Sequence, residues 1–113
     1  MNKYHAVAVI VDGYRFASKR EARRWQDLKL LVAAGAINGL RRQVSYVLHA
    51  CDPRGHPVIV GRYIVDFDYW TVKRVAADAD AHVLEDAKGV RTALYRWKAK
   101  HLTIEYGLTV REV

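Results

Sequence analysis

The stretch Val83-Leu84-Glu85-Asp86-Ala87-Lys88-Gly89 decides how the rest of this chain is read. As the end of a strand running from His82 to Lys88, it places side chains two apart on one face. Asp86 and Lys88 then project together with Leu84, and Glu85 points away from them. The hydrophobic run Tyr63-Ile64-Val65 ends in a second acid, Asp66. If that run is the neighbouring strand, the carboxylates of Asp66 and Asp86 converge at its end. Two ionised carboxylates about 4 Å apart repel by roughly 4 kcal/mol at an effective dielectric of about 20. A shared divalent cation removes that cost, so the pattern calls for Mg²⁺ or Mn²⁺ and an amine beside it.

Outward from this stretch the chain divides by periodicity. His5 to Ile10 is apolar and β-branched, and Val11-Asp12-Gly13-Tyr14 carries the Asp-Gly signal of a tight hairpin that ends near Phe16-Ala17. Ser18-Lys19-Arg20-Glu21 has capping-box spacing, with Ser18 as N-cap and Glu21 reaching back. The helix it opens runs from about Lys19 to Ala34, with Ala22, Trp25, Leu28, Leu31 and Val32 as its core stripe. Gly35 and Asn38-Gly39 supply the stop. Leu40 to Leu48 alternates as a half-buried strand, Asp52-Pro53-Arg54-Gly55 is a turn, and Val58 to Trp70 is a long strand that bends near Gly61. Ala76 to Ala81 is a loop. A second helix spans roughly Arg91 to Tyr106, with Leu94, Trp97 or Lys98, His101, Leu102 and Glu105 along adjoining faces. Gly107 ends it, and Leu108 to Val113 closes as a strand.

With 113 residues, 51% hydrophobic and 27% charged, the chain reads as a single globular domain over 1–113. A formal charge of +7 favours polyanions, nucleic acid first and an anionic membrane surface second. No apolar run approaches the ~20 residues of a spanning helix, and the start does not resemble a signal peptide. Cys51 is the only cysteine, which excludes an internal disulfide and fits a reducing cytosol. The five histidines have no ligand spacing, so a zinc site is not expected.

Four landmarks carry a family resemblance: Phe16-Ala17-Ser18-Lys19-Arg20-Glu21, Gly35-Ala36-Ile37-Asn38-Gly39-Leu40-Arg41-Arg42-Gln43, Tyr63-Ile64-Val65-Asp66-Phe67, and Glu85-Asp86-Ala87-Lys88-Gly89. Asp66 followed by Asp86-Ala87-Lys88 resembles the D…(D/E)xK signature of the PD-(D/E)xK nuclease superfamily. The landmarks in this order resemble a small phage and prophage family, formerly of unknown function, and are similar to TnsA-like transposon-end nucleases and archaeal-type Holliday-junction resolvases. Val65 stands where the superfamily usually has proline, and Glu85 is an additional acid before Asp86.

The resemblance implies a restriction-endonuclease-like α/β fold, with an αβββαβ core, a mixed sheet flanked by helices, and here an N-terminal β-hairpin. It implies a metal-dependent endodeoxyribonuclease acting in phage DNA processing or recombination in the bacterial cytoplasm, leaving 5′-phosphate and 3′-hydroxyl ends. Asp66 and Asp86 are the expected ligands of Mg²⁺ or Mn²⁺, with the Ala87 carbonyl and Glu21 as further ones and Lys88 as the catalytic amine. Gln43 orients Lys88, the water or a phosphate, or else simply faces solvent. Glu21 is equally explained by capping alone. Glu85 points outward or stands behind the ligands. Lys19, Arg20, Arg23, Arg24, Arg41, Arg42, Arg91, Arg96, Lys98 and Lys100 flank these positions and are expected to meet DNA phosphates. The rival readings are a dimeric, structure-selective Holliday-junction resolvase and a non-catalytic DNA-binding module.

Overall fold

The computed structural model describes residues 7–72, 81–87 and 91–113. Element order is β1 (Val9–Val11), β2 (Tyr14–Phe16), α1 (Lys19–Ala33), β3 (Ile37–Cys51), β4 (Pro57–Thr71), β5 (His82–Asp86), α2 (Ala93–Tyr106) and β6 (Val110–Glu112). The fold is α/β, with a two-stranded N-terminal hairpin and a mixed four-stranded sheet of order β3-β4-β5-β6 flanked by the two helices. β3, β4 and β5 pair antiparallel, and β5 pairs β6 in parallel through the α2 crossover.

Local chemistry explains most boundaries. Asp12 and Gly13 both take positive φ, 54° and 79°, as a two-residue turn of type I′ requires. The Asp12 carboxylate then accepts from the Trp25 indole at 3.2 Å and from Lys29 at 2.6 Å, which ties the hairpin to α1. Ser18 caps α1 by accepting from Glu21 N at 3.1 Å. At the other end Gly35 N donates to Val32 O and Ala36 N to Leu31 O, each at 3.0 Å, a Schellman closure around Gly35 at φ 75°. Asn38-Gly39 lies instead inside β3, where the pairing with β4 shifts register. The core stripe of α1 also stops a turn earlier than its period suggests. Ala22, Trp25 and Leu28 are buried, whereas Leu31 and Val32 are exposed and belong to neither core cluster.

β3 runs three residues past the expected Leu40–Leu48 at each end and β4 one residue past Val58–Trp70 at each end, and the apolar Val58, Ile59 and Val60 near their shared tip stay exposed. The expected bend lies opposite Gly61: Leu48 pairs Gly61 and His49 pairs Ile59, leaving Val60 as a bulge. α2 starts at a Thr92 cap and ends at Gly107, whose φ is 71°. Its inward stripe is Tyr95, Ala99 and Leu102, not the Leu94 and Trp97 stripe, which faces outward.

Two core clusters occupy opposite faces of the sheet. Phe16, Ala22, Trp25, Leu28, Ile37, Phe67, Tyr69 and Val83 form one under α1. Leu48, Tyr63, Val65, Leu84 and Leu102 form the other under α2. Val83 and Leu84 are strand neighbours and fall in different clusters, as alternation demands. Val65 and Phe67, two apart, should share a face and do not. On the paired strand, Val44 packs with the α2 cluster while Arg42 lies over the Phe16 ring of the α1 cluster. Both long strands therefore change faces at the same step, between Val44/Val65 and Arg42/Phe67, where Gln43 and Asp66 stand. Gln43 carries the backbone cost of the change, with φ at 53°.

Candidate active site

The face change brings three polar side chains together. The Gln43 Nε2 amide donates to Glu21 Oε1 at 3.0 Å and to Asp66 Oδ1 at 3.1 Å. Both carboxylates are buried, at 4% and 5% exposure, while Gln43 itself is open to solvent. Glu21 arrives from the first turn of α1, where its Oε2 accepts from Ala17 N at 3.3 Å, one residue before the expected reach-back. A left-handed residue is what lets Gln43 aim an amide between two acids instead of following its strand neighbours. The polarised –NH₂ group meets the same electrostatic need that a cation between those oxygens would meet.

Asp66 and Asp86 are joined, but not as a simple pair of ligands. Asp86 Oδ1 accepts from Asp66 N at 2.8 Å, and Asp66 Oδ2 accepts from Ala87 N at 2.9 Å, so each acid secures the other strand's backbone. The second Asp86 oxygen accepts from Tyr63 Oη and, at 2.7 Å, from Tyr95 Oη. Burial raises both phenols' pKa, and the bond to Asp86 raises it further. Fully buried and engaged on both oxygens, Asp86 acts as a strut between β4, β5 and α2. What Ala87 presents to Asp66 is its N–H, not its carbonyl. Lys88 lies outside the described residues.

Glu85 is neither outward nor exposed. It is fully buried on the α1 face, held by Arg24 through two bonds of 2.7 and 2.8 Å and by the Tyr69 hydroxyl. The bidentate fork raises the Arg24 pKa. Burial, then the bond to Glu85, pushes Tyr69 up to about 12. Arg24 is thus committed to the protein interior.

The other basic candidates divide the same way. Arg42 lies over the Tyr14 and Phe16 rings, at 5.0 and 4.7 Å, and donates to Arg15 O. Arg91 pairs with Glu112 at 2.6 Å and covers the Tyr95 ring. Arg41 reaches Asp68 at 3.2 Å yet keeps 60% of its side chain exposed. Lys19, Arg20, Arg23, Arg96 and Lys100 are exposed, and Lys98 is half-buried. Those on α1 stand on the helix turns that carry Glu21.

Sequence reading missed Asp68, which is fully buried among Tyr46, His82 and Arg41. Its signal was the one that marked Asp66: a carboxylate inside an apolar run must find partners. Among the described residues no three His, Cys, Asp or Glu side chains group as a metal site. Glu21 and Asp66 offer the hard oxygen donors that Mg²⁺ or Mn²⁺ prefers, so the donor chemistry fits such an ion. Among the described residues no helix is long and apolar enough to cross a membrane.

A family model matches residues 1–111, from before the hairpin into β6. The chain belongs to the family described as a protein of unknown function (DUF1064). No curated protein and no solved structure matches it.

Proposed function

We propose that this chain is a metal-dependent endodeoxyribonuclease of the PD-(D/E)xK superfamily, acting on phage or prophage DNA in a bacterial cytoplasm. The observation that carries the reading is the strained Gln43, which holds an exposed amide on two buried carboxylates contributed by α1 and β4. Strained backbone at a polar, solvent-facing cluster is characteristic of a functional site. Glu21 and Asp66 would hold Mg²⁺ or Mn²⁺, which when bound supplies a Lewis acid and a lowered pKa for water. Gln43 orients the two carboxylates and screens their repulsion. Asp86 acts through Asp66 as a positioning residue, fixing its backbone N–H. Lys88 supplies positive charge for the phosphate, and Lys19, Arg20 and Arg23 draw the DNA backbone toward Glu21.

Cleavage of supercoiled and branched DNA with Mg²⁺ or Mn²⁺ tests this. Asp66→Asn should lower the rate by roughly a thousandfold while leaving a folded protein. Equal rates for wild type and Asp66→Asn on every substrate would overturn the enzyme, and salt-dependent binding without cleavage would leave a DNA-binding module.

The dimeric, branch-selective form has an observation of its own. Leu94, Trp97 and Ile104 line one outer stripe of α2 at 58%, 75% and 76% exposure. Trp97 and Ile104 border a 430 Å³ groove with Ala50, Lys100 and Glu105. An apolar patch rimmed by both charge signs suits a second copy of the same surface better than DNA. Sedimentation should give a dimer that Trp97→Glu dissociates; a monomeric wild type rejects it.

A further inference from the structure

A second polar cluster, which the proposed hydrolysis leaves unused, lies further along the same strands. Arg41 and Asp68 are registered partners across β3 and β4, and Trp70 and His82 across β4 and β5. Asp68 is fully buried and accepts from Tyr46 Oη, from His82 Nε2 at 2.7 Å and from Arg41 Nη2 at 3.2 Å. Burial pushes its pKa upward, but these three donors hold it below the usual carboxylate range. One carboxylate on β4 thus fixes side chains from both neighbouring strands, β3 and β5. The Trp70 indole lies flat on the His82 imidazole, with centroids 4.4 Å apart and planes 9° from parallel.

A buried, fully bonded acid adds little stability over apolar packing of the same volume. Its evident effect is to orient what stands above it. Trp70 remains 42% exposed, with the His82 ring backing it, and the Arg41 side chain is 60% exposed beside Asp68. The result is a stiff ledge that pairs an aromatic plane with a pre-aimed guanidinium. That combination matches a nucleobase and its phosphate, one by stacking and one by charge.

We propose that Trp70, His82 and Arg41 form a stacking site for an unpaired nucleobase, with the attached phosphate on Arg41. A base inside a duplex is already stacked on both sides, so the ledge selects single-stranded, frayed or branched DNA. It begins two residues along β4 from Asp66, roughly 7 Å of strand. Its link to cleavage rests on the nuclease reading; its binding does not.

The test is therefore made first in EDTA, with an oligothymidylate added to the intact protein. It should quench tryptophan fluorescence in wild type and Trp97→Phe, and most of the quench should vanish in Trp70→Phe. Trp70→Ala should bind the oligonucleotide about fivefold more weakly or worse, with blunt-duplex affinity unchanged. Arg41→Gln, altered at an exposed side chain, should behave alike and serves if Trp70→Ala fails to fold. Wild-type quenching in Trp70→Phe, or unchanged single-strand affinity in both binding variants, overturns the site. Loss of single-strand binding alongside intact metal-dependent plasmid cleavage supports it, whereas intact binding by a wild type that never cleaves defeats only the nuclease reading.

Discussion

Two sets of buried acids adjoin in space, where Asp66 N donates to Asp86 Oδ1, and are held in different ways. Glu85 and Asp86, at the end of β5, are enclosed: one lies in the Arg24 fork under the Tyr69 hydroxyl, the other accepts from two phenols and a backbone N–H. Glu21 and Asp66 each accept one backbone N–H, from Ala17 and Ala87, and with their other oxygens share the amide of a residue that is open to solvent and held in a left-handed backbone. Buried polar groups with every lone pair answered by the interior hold elements together. A pair reached through an exposed, strained side chain is placed where a ligand can meet it. Thus an acidic residue next to a lysine in a sequence motif is not automatically the one that does chemistry.

Breaking the enclosed set should cost the most. Arg24→Ala leaves the Glu85 carboxylate buried without its cation and should destabilise by about 3–5 kcal/mol, read as a lower urea midpoint with unchanged slope. A loss below about 0.5 kcal/mol would mean that the fork is a surface contact and that the contrast fails.

Alkaline pH probes the same set more gently. Tyr63, Tyr69 and Tyr95 have folded pKa values raised above 10.0, Tyr69 to about 12. A raised phenol pKa means that the neutral form is favoured on folding, so its contribution is full below pH 10 and declines as pH climbs toward the folded values. Thermal midpoints should hold below pH 10 and fall between 10 and about 12. Midpoints flat through that window would show that the phenols are not bound to the acids.

The smallest effect sharpens the other side. At φ 53° glycine is unstrained, so Gln43→Gly should be about 1 kcal/mol more stable than Gln43→Ala. Both should lose cleavage to the same degree, since both lack the amide. Equal stability of the two would deny the strain on which the site argument depends.

Much of the frame is legible in the sequence because it is written in local chemistry. Asp12-Gly13 specifies its turn through positive φ, Ser18 and Gly35 bracket α1, Gly107 closes α2, and the period-two runs mark the strands. α2 is less legible, because Leu94, Trp97 and Ile104 repeat as convincingly as Tyr95, Ala99 and Leu102 do. Which stripe goes inside depends on the sheet that meets it. The acids followed the same logic: alternation put Glu85 and Asp86 on opposite faces, but nothing local said that Arg24, from a helix 61 positions away, would claim one of them.

By itself, then, the sequence determined the order of elements, their caps and turns and the basic charge. Tertiary structure alone decided which acids meet which donors. Two fifteen-residue strands change faces together at Gln43 and Asp66, and that register is set by packing two helices on opposite sides of one sheet. A period of two predicts a face only while it is unbroken, and the break falls where the site is built.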